Sequence, residues 1–203
     1  MPPVTRTFSR QYIAQNADGS ITTCYLAGRA GPGAQAELQI ASGPKDDYTL
    51  SYLVRFPVGF QWVLGGKLPG LCGGQCWTGA NNGPGGFTMR LMWRANGVGE
   101  VLLSDAVTTA TGTDLGRGTS FTFSADDQWH SLSEQVHLNT PGLTDGFITV
   151  TYDGVAYTFT GLEIRTDSTQ INGLMFCTFY GGGGPSSSPT TDQKMDYLAF
   201  GVS

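Results

Sequence analysis

The chain has 203 residues, room for one domain spanning 1–203 with a sizeable core, and it is acidic, with a net charge of −5 and only 13% charged residues. It has no Lys/Arg-rich run to neutralise phosphates, which excludes nucleic acid as a partner, and no 18-residue apolar run to span a membrane. Thirty glycines and ten prolines, with no long helical stripe, point to many short strands joined by tight turns.

The first ten residues, MPPVTRTFSR, contain no apolar stretch of signal-peptide type. The expectation is a cytosolic protein or a mature chain whose signal has been removed. The run 48–56 (YTLSYLVRF) alternates and stops at Pro57, and 61–64 reads as a second short strand entering a Gly65-Gly66 turn. Positions 87–94 (FTMRLMWR) alternate throughout. This places Thr88, Arg90, Met92 and Arg94 on one face and Phe87, Met89, Leu91 and Trp93 on the core face. After the Asn96-Gly97 turn, 100–104 reads as the returning strand of a hairpin. Further strands are expected at 120–123, 129–138, 147–152, 156–159 and 173–180, with Asp153-Gly154 as the turn of the clearest hairpin and Asp126-Asp127 as a turn. A terminal strand at 194–202 is expected to close a sheet against the N-terminal segment. About ten strands without intervening helices imply an all-β, two-sheet antiparallel sandwich of jelly-roll type. The glycine-rich stretches 79–86 and 181–189 read as loops, the second either a plain surface loop or a flap beside a groove.

Cys72 and Cys76 flank Gly-Gly-Gln, a loop flexible enough to close into a disulfide, and the CxxC spacing of zinc ribbons is absent. Cys24 and Cys177 lie in apolar, strand-like runs, where two buried thiols and a cross-strand bridge are equally open. His130 and His137 are seven apart with no ligand pattern around them, so neither a metal nor a cofactor is expected.

The segment 65–94 gathers Lys67, Arg90 and Arg94 in a chain otherwise acidic, the pattern of a local site for an anionic group. Its GGKLPGL, the cysteine loop, RLMWR followed by GVGE, the later DG turn, GLMFCTFYGG and a final DYLAF together resemble the family 14 polysaccharide lyases. That resemblance runs from about residue 48 to the C-terminus. It implies a β-jelly roll with a concave groove and cleavage of uronate polysaccharides such as alginate or glucuronan by β-elimination. Residue by residue it implies that Lys67 is the functional lysine, that Thr88 stands where a serine is usual, and that Arg90 is the functional arginine. The two tyrosines of the family pattern fall at Leu102 and Ser104 and are therefore missing.

Elimination requires the substrate carboxylate to be neutralised, a base to remove the C5 proton and an acid to protonate the leaving oxygen. Lys67 and Arg90 suit the first task. Tyr180 is a candidate phenol for proton transfer and His130 a remoter base, while Arg94, Ser104, Glu100 and His130 are candidates for substrate binding. Each has a plainer reading: Tyr180 as a core aromatic, His130 as a surface residue, and Glu100 as the partner of Arg90 or Arg94 across the hairpin. Two other functions stay open. One is a lectin-like protein that kept the groove and lost the tyrosines; the other is a hydrolase using Glu100, Asp105, Glu134 or Asp196, although no two of these share a face of one strand. The expected partner is a polysaccharide, and the expected setting is an extracellular monomer.

Overall fold

The chain is described by a computed structural model covering residues 4–9, 12–76, 78, 85–105, 107, 112–118, 121–181 and 185–203. Where apolar and polar residues alternate, strands form, and two antiparallel sheets bury their apolar faces against each other. The first sheet contains β1 (Val4–Ser9), β4 (Gly31–Gln39), β6 (Gly65–Lys67), β7 (Gly70–Gly74), β8 (Gly86–Arg94), β9 (Gly99–Ser104), β10 (Thr113–Leu115) and β14 (Ile171–Tyr180). Its order is β1-β4-β14-β6-β8-β9-β10, with β7 continuing the line of β6 between β14 and β8. The second sheet runs β13 (Val155–Leu162), β12 (Gly146–Tyr152), β11 (His130–His137), β5 (Asp47–Arg55), β15 (Gln193–Val202), β3 (Ile21–Tyr25) and β2 (Ile13–Gln15). This is the expected jelly-roll sandwich, and no helix among the described residues is long and apolar enough to cross a membrane.

Between the sheets lies one apolar cluster. Strand β8 contributes Phe87, Met89, Leu91 and Trp93, and β5 contributes Tyr48, Leu50, Tyr52 and Val54, the alternate positions of each strand. Strands β8 and β9 pair as the expected hairpin, Thr88 opposite Ser104 and Met92 opposite Glu100. Asn96 and Gly97 turn the chain with positive φ of 61° and 79°, as a tight connection between twisted strands requires. The Asp153-Gly154 turn joins β12 to β13 in the same manner.

Several expectations change. Gly65 and Gly66 are not a turn but the start of β6, while 61–64 forms no strand. Glycine is required there by packing: a Cβ on Gly66 would sit 1.9 Å from the Trp93 ring, and one on Gly70 would sit 1.8 Å from the Met89 carbonyl oxygen. Phe121 and Phe123 fill the core, but that stretch makes only an isolated bridge, Val98 to Thr122, and residue 120 lies outside the described residues. The terminal strand β15 does close onto the N-terminal part of the chain, through β3. The expected loop at 79–86 lies outside the described residues except for 85–86, and so do 182–184 of the 181–189 loop.

Candidate active site

The chemistry concentrates on the face of the first sheet that points away from the core. Strand β8 sends Thr88, Arg90, Met92 and Arg94 there. Antiparallel register then fixes their neighbours: Lys67 of β6 lies opposite Met92, Glu100 and Leu102 of β9 lie opposite Met92 and Arg90, and Asp114 of β10 lies opposite Leu102. Lys67 and Arg90 are therefore diagonal neighbours on one face, as the alternation of β8 predicts.

Lys67 is half-buried, its Nζ 4.9 Å from the centre of the Phe179 ring. Burial, with the Arg90 charge second, draws its amine down from 10.5 to about 8. Arg90 is 4% exposed and extends over the join between β6 and β7 to β14, where Nη1 lies 3.4 Å from the Cys177 sulfur. Its Nε has no hydrogen-bond partner among the described residues, an unspent donor on a buried cation. Ser104 Oγ is likewise buried and has no hydrogen-bond partner among the described residues, one strand away beside Thr88.

Arg94 is differently placed. Its Nε donates to Glu100 Oε1 at 2.5 Å and its Nη2 to Asp114 Oδ2 at 2.8 Å. Glu100 is fully buried, and that burial pushes its carboxyl above the ordinary value although Arg94 pulls the other way. Glu100 thus takes the cross-hairpin pairing with Arg94. On this face, and among the described residues, Lys67 and Arg90 form no ion pair with a carboxylate.

Two sequence-derived candidates lie elsewhere. Tyr180 shares its strand parity with Phe176 and Leu174, so its ring enters the core against Tyr25, Phe60 and Trp93. Its hydroxyl donates to the Gln61 carbonyl, and burial raises it well above the ordinary phenol value. It is a core residue on the opposite side of the sheet from Arg90. His130 stands at the start of β11 in the second sheet, stacked on Tyr152, with Nδ1 2.6 Å from Asp153 and Nε2 3.0 Å from Asp126. Burial opposes its charge, but the two aspartates outweigh it and the imidazole is raised. It is an ion-paired residue remote from Lys67.

The carboxylates proposed for hydrolysis are dispersed as well. Asp196 is bound to Arg55 and Thr22 in the second sheet, Glu134 lies inside the core, Asp105 closes the end of β9, and Glu100 is occupied by Arg94. No two of them flank a common position as glycoside hydrolysis requires. Cys72 and Cys76 form a disulfide, with Cα atoms 5.1 Å apart, fixing the chain that follows β7. Cys24 and Cys177 are both free and sit in different sheets, which removes the cross-strand alternative.

Residues 14–200 match the family described as Polysaccharide lyase 14. The chain belongs to polysaccharide lyase family 14. This family 14 chain is 29% identical to an alginate lyase of that family from Aplysia kurodai, with a TM-score of 0.87 over 99% of this chain and 90% of the other. An alginate lyase from Chlorella virus superposes with a TM-score of 0.79 at 19% identity, over 94% and 88% of the two chains. The endo-β-1,4-glucuronan lyase of Trichoderma reesei gives 0.65 at 11% identity, over 98% and 90%. These last two likenesses speak to the fold alone. No curated protein sequence matches the chain.

Proposed function

We propose that this protein cleaves a uronate-containing polysaccharide by β-elimination on the outer face of its first sheet, with Lys67 and Arg90 at the reacting sugar. Membership of family 14 supports the reaction class, and the sharing of that face by Lys67 and Arg90 carries the assignment to these residues. Arg90, with an unfilled Nε, offers a fixed positive charge to the substrate carboxylate and so acidifies the adjacent C5 proton. Lys67 then takes the proton-transfer part for which Tyr180 and His130 were the sequence candidates. An amine held near 8 is partly neutral at mildly alkaline pH and can accept a proton. The C5–H bond breaks as the proton passes to Nζ, its electrons form the C4–C5 double bond, the C4–O bond breaks, and the ammonium returns a proton to the departing glycosidic oxygen. One group serves both transfers.

Leu102 and Ser104 occupy the positions where the family resemblance places tyrosines, and neither carries an ionisable group. Ser104 and Thr88 are fully buried beneath this face, where they pack beside Arg90. The disulfide suits an oxidising, extracellular setting. The test is the ultraviolet absorbance of the unsaturated uronate on alginate, glucuronan and neutral glucans, with Lys67→Ala and Lys67→Arg beside the parent protein. Both variants should lose about 10²-fold or more, the range for removing a positioned proton-transfer group. For the parent, kcat/KM should rise to a plateau above about 8 as Lys67 loses its proton. Parent-like activity of Lys67→Arg, whose side chain stays charged, would reject Lys67 as the base.

A further inference from the structure

The segment joining β6 to β7 is interrupted at Leu68 and Pro69, so its backbone leaves the regular ladder beneath the Lys67–Arg90 pair. Backbone groups turned into a core need partners, and an unmatched one costs about as much as a lost hydrogen bond. Here the partners come from the other sheet. The Tyr52 hydroxyl, from β5, donates to the Pro69 carbonyl at 3.0 Å, and the Leu71 N–H donates to Oε2 of Glu134, from β11, at 2.8 Å. Both side chains are almost wholly buried, Tyr52 at 2% exposure and Glu134 at 0%. Glu134 occupies the apolar face of β11 between Leu132 and Val136, where a leucine would pack without the cost of burying a carboxyl. Its Oε1 has no partner among the described residues, so the contact with Leu71 is what the side chain supplies.

We infer that Tyr52 and Glu134 are positioning residues for Lys67: reaching across the core, they hold the Pro69–Leu71 backbone and so set the depth at which Lys67 sits beside Arg90. Four observations converge on it. Lys67 is two residues from Pro69, at the end of a three-residue strand whose regular pairing with β8 stops at Lys67 opposite Met92, so the chain that follows it depends on other contacts. Gly66 and Gly70 bring the segment against the backbone and rings of β8, with no side chain of their own to fix it. The two cross-core bonds grip a donor and an acceptor two residues apart, which fixes orientation as well as height. The depth of Lys67 in turn governs its chemistry, since burial is the largest influence on its amine.

The inference rests on the proposed role of Lys67, so its test includes a reading that does not depend on turnover. Lys67 titration is followed by the pH dependence of its labelling with an amine-reactive reagent, resolved by peptide mass spectrometry from Lys45 and Lys194. In Glu134→Leu, Lys67 should titrate closer to an ordinary lysine, and kcat should fall about 10- to 100-fold with KM changed by less than about threefold, as expected when a reacting group is displaced by about an ångström. Glu134→Gln retains an oxygen that accepts from Leu71 N–H and should restore both the titration and kcat. Tyr52→Phe, which removes the bond to Pro69 and nothing else, should shift both in the direction of Glu134→Leu by a smaller factor. Unaltered Lys67 labelling in Glu134→Leu overturns the inference, whatever the activity. If Glu134→Leu does not fold, Tyr52→Phe decides: unaltered labelling overturns the inference and a shift supports it. Altered labelling in a protein whose parent cleaves no uronate polymer keeps the positioning and discards the proposed function.

Discussion

Replacing Glu134 with glutamine should stabilise the protein at alkaline pH and do little in mild acid. Burial raises the Glu134 carboxyl from 4.5 to about 8, the bond from Leu71 N–H pulling weakly the other way. The unfolded chain releases this proton near 4.5 and the folded chain keeps it until about 8. Within that window the unfolded state binds fewer protons, so stability falls as pH rises. At about 1.4 kcal/mol per pH unit the gap sets a ceiling of about 5 kcal/mol on the penalty, fully developed above about 8 and absent below about 4.5. Local relaxation around the carboxylate lowers this, and a gain of about 1–3 kcal/mol for the glutamine variant at pH near 9 is the expected size. Urea unfolding of both proteins at pH near 5 and near 9 measures it, with equal slopes confirming that the same surface is exposed. A stability difference that is the same at both pH values, or a variant weaker than the parent at pH near 9, would refute the placement of a protonated carboxyl in the core.

Denatured, unreduced protein should titrate two thiols, Cys24 and Cys177, and four after reduction; four without reduction would exclude the Cys72–Cys76 bridge. Glu100→Gln should loosen Arg94 more than Asp114→Asn does, because Glu100 is the wholly buried partner, and a thermal unfolding series that ranks them the other way would contradict the pairing. Restoring tyrosines at Leu102 and Ser104 tests whether the missing phenols limit turnover. Gly112 lies over both positions, its Cβ site 3.1 Å from Ser104 Oγ and 3.2 Å from a Leu102 methyl, so the double variant should lose about 1–3 kcal/mol to overpacking. Faster elimination by that less stable variant would support the family positions, and unchanged turnover in a folded variant would remove them from the account.

Strands with clean alternation could be read directly from the residues. FTMRLMWR separates Phe87, Met89, Leu91 and Trp93 from Thr88, Arg90, Met92 and Arg94, and the fold keeps that division. GGKLPGLCGG could not be read this way, because glycine carries no side chain to alternate and the contacts that demand it, the Trp93 ring on Gly66 and the Met89 carbonyl on Gly70, come from another strand. Tyr180 was open to the right reading: it shares parity with Leu174 and Phe176, which marks it as core, whereas Cys177 falls on the Arg90 face. The parity of HSLSEQVH likewise puts Glu134 in line with Leu132 and Val136, a buried carboxyl that alternation alone could flag. What alternation cannot supply is the second sheet's reach to Pro69 and Leu71, which depends on how two sheets stack. The proton-transfer role was obscured for a related reason, since the depression of the Lys67 amine arises from burial and from Arg90 across the strand pair.

Whether the outer face of the first sheet performs elimination is answered most directly by one measurement on the unmodified protein: ultraviolet absorbance and reducing ends followed together on a uronate polymer. The account predicts that both rise in step, one unsaturated uronate for each new reducing end, and that both vanish in Lys67→Ala. Reducing ends appearing without absorbance would contradict it and identify a hydrolase, while tight binding with neither signal would identify a carbohydrate-binding protein.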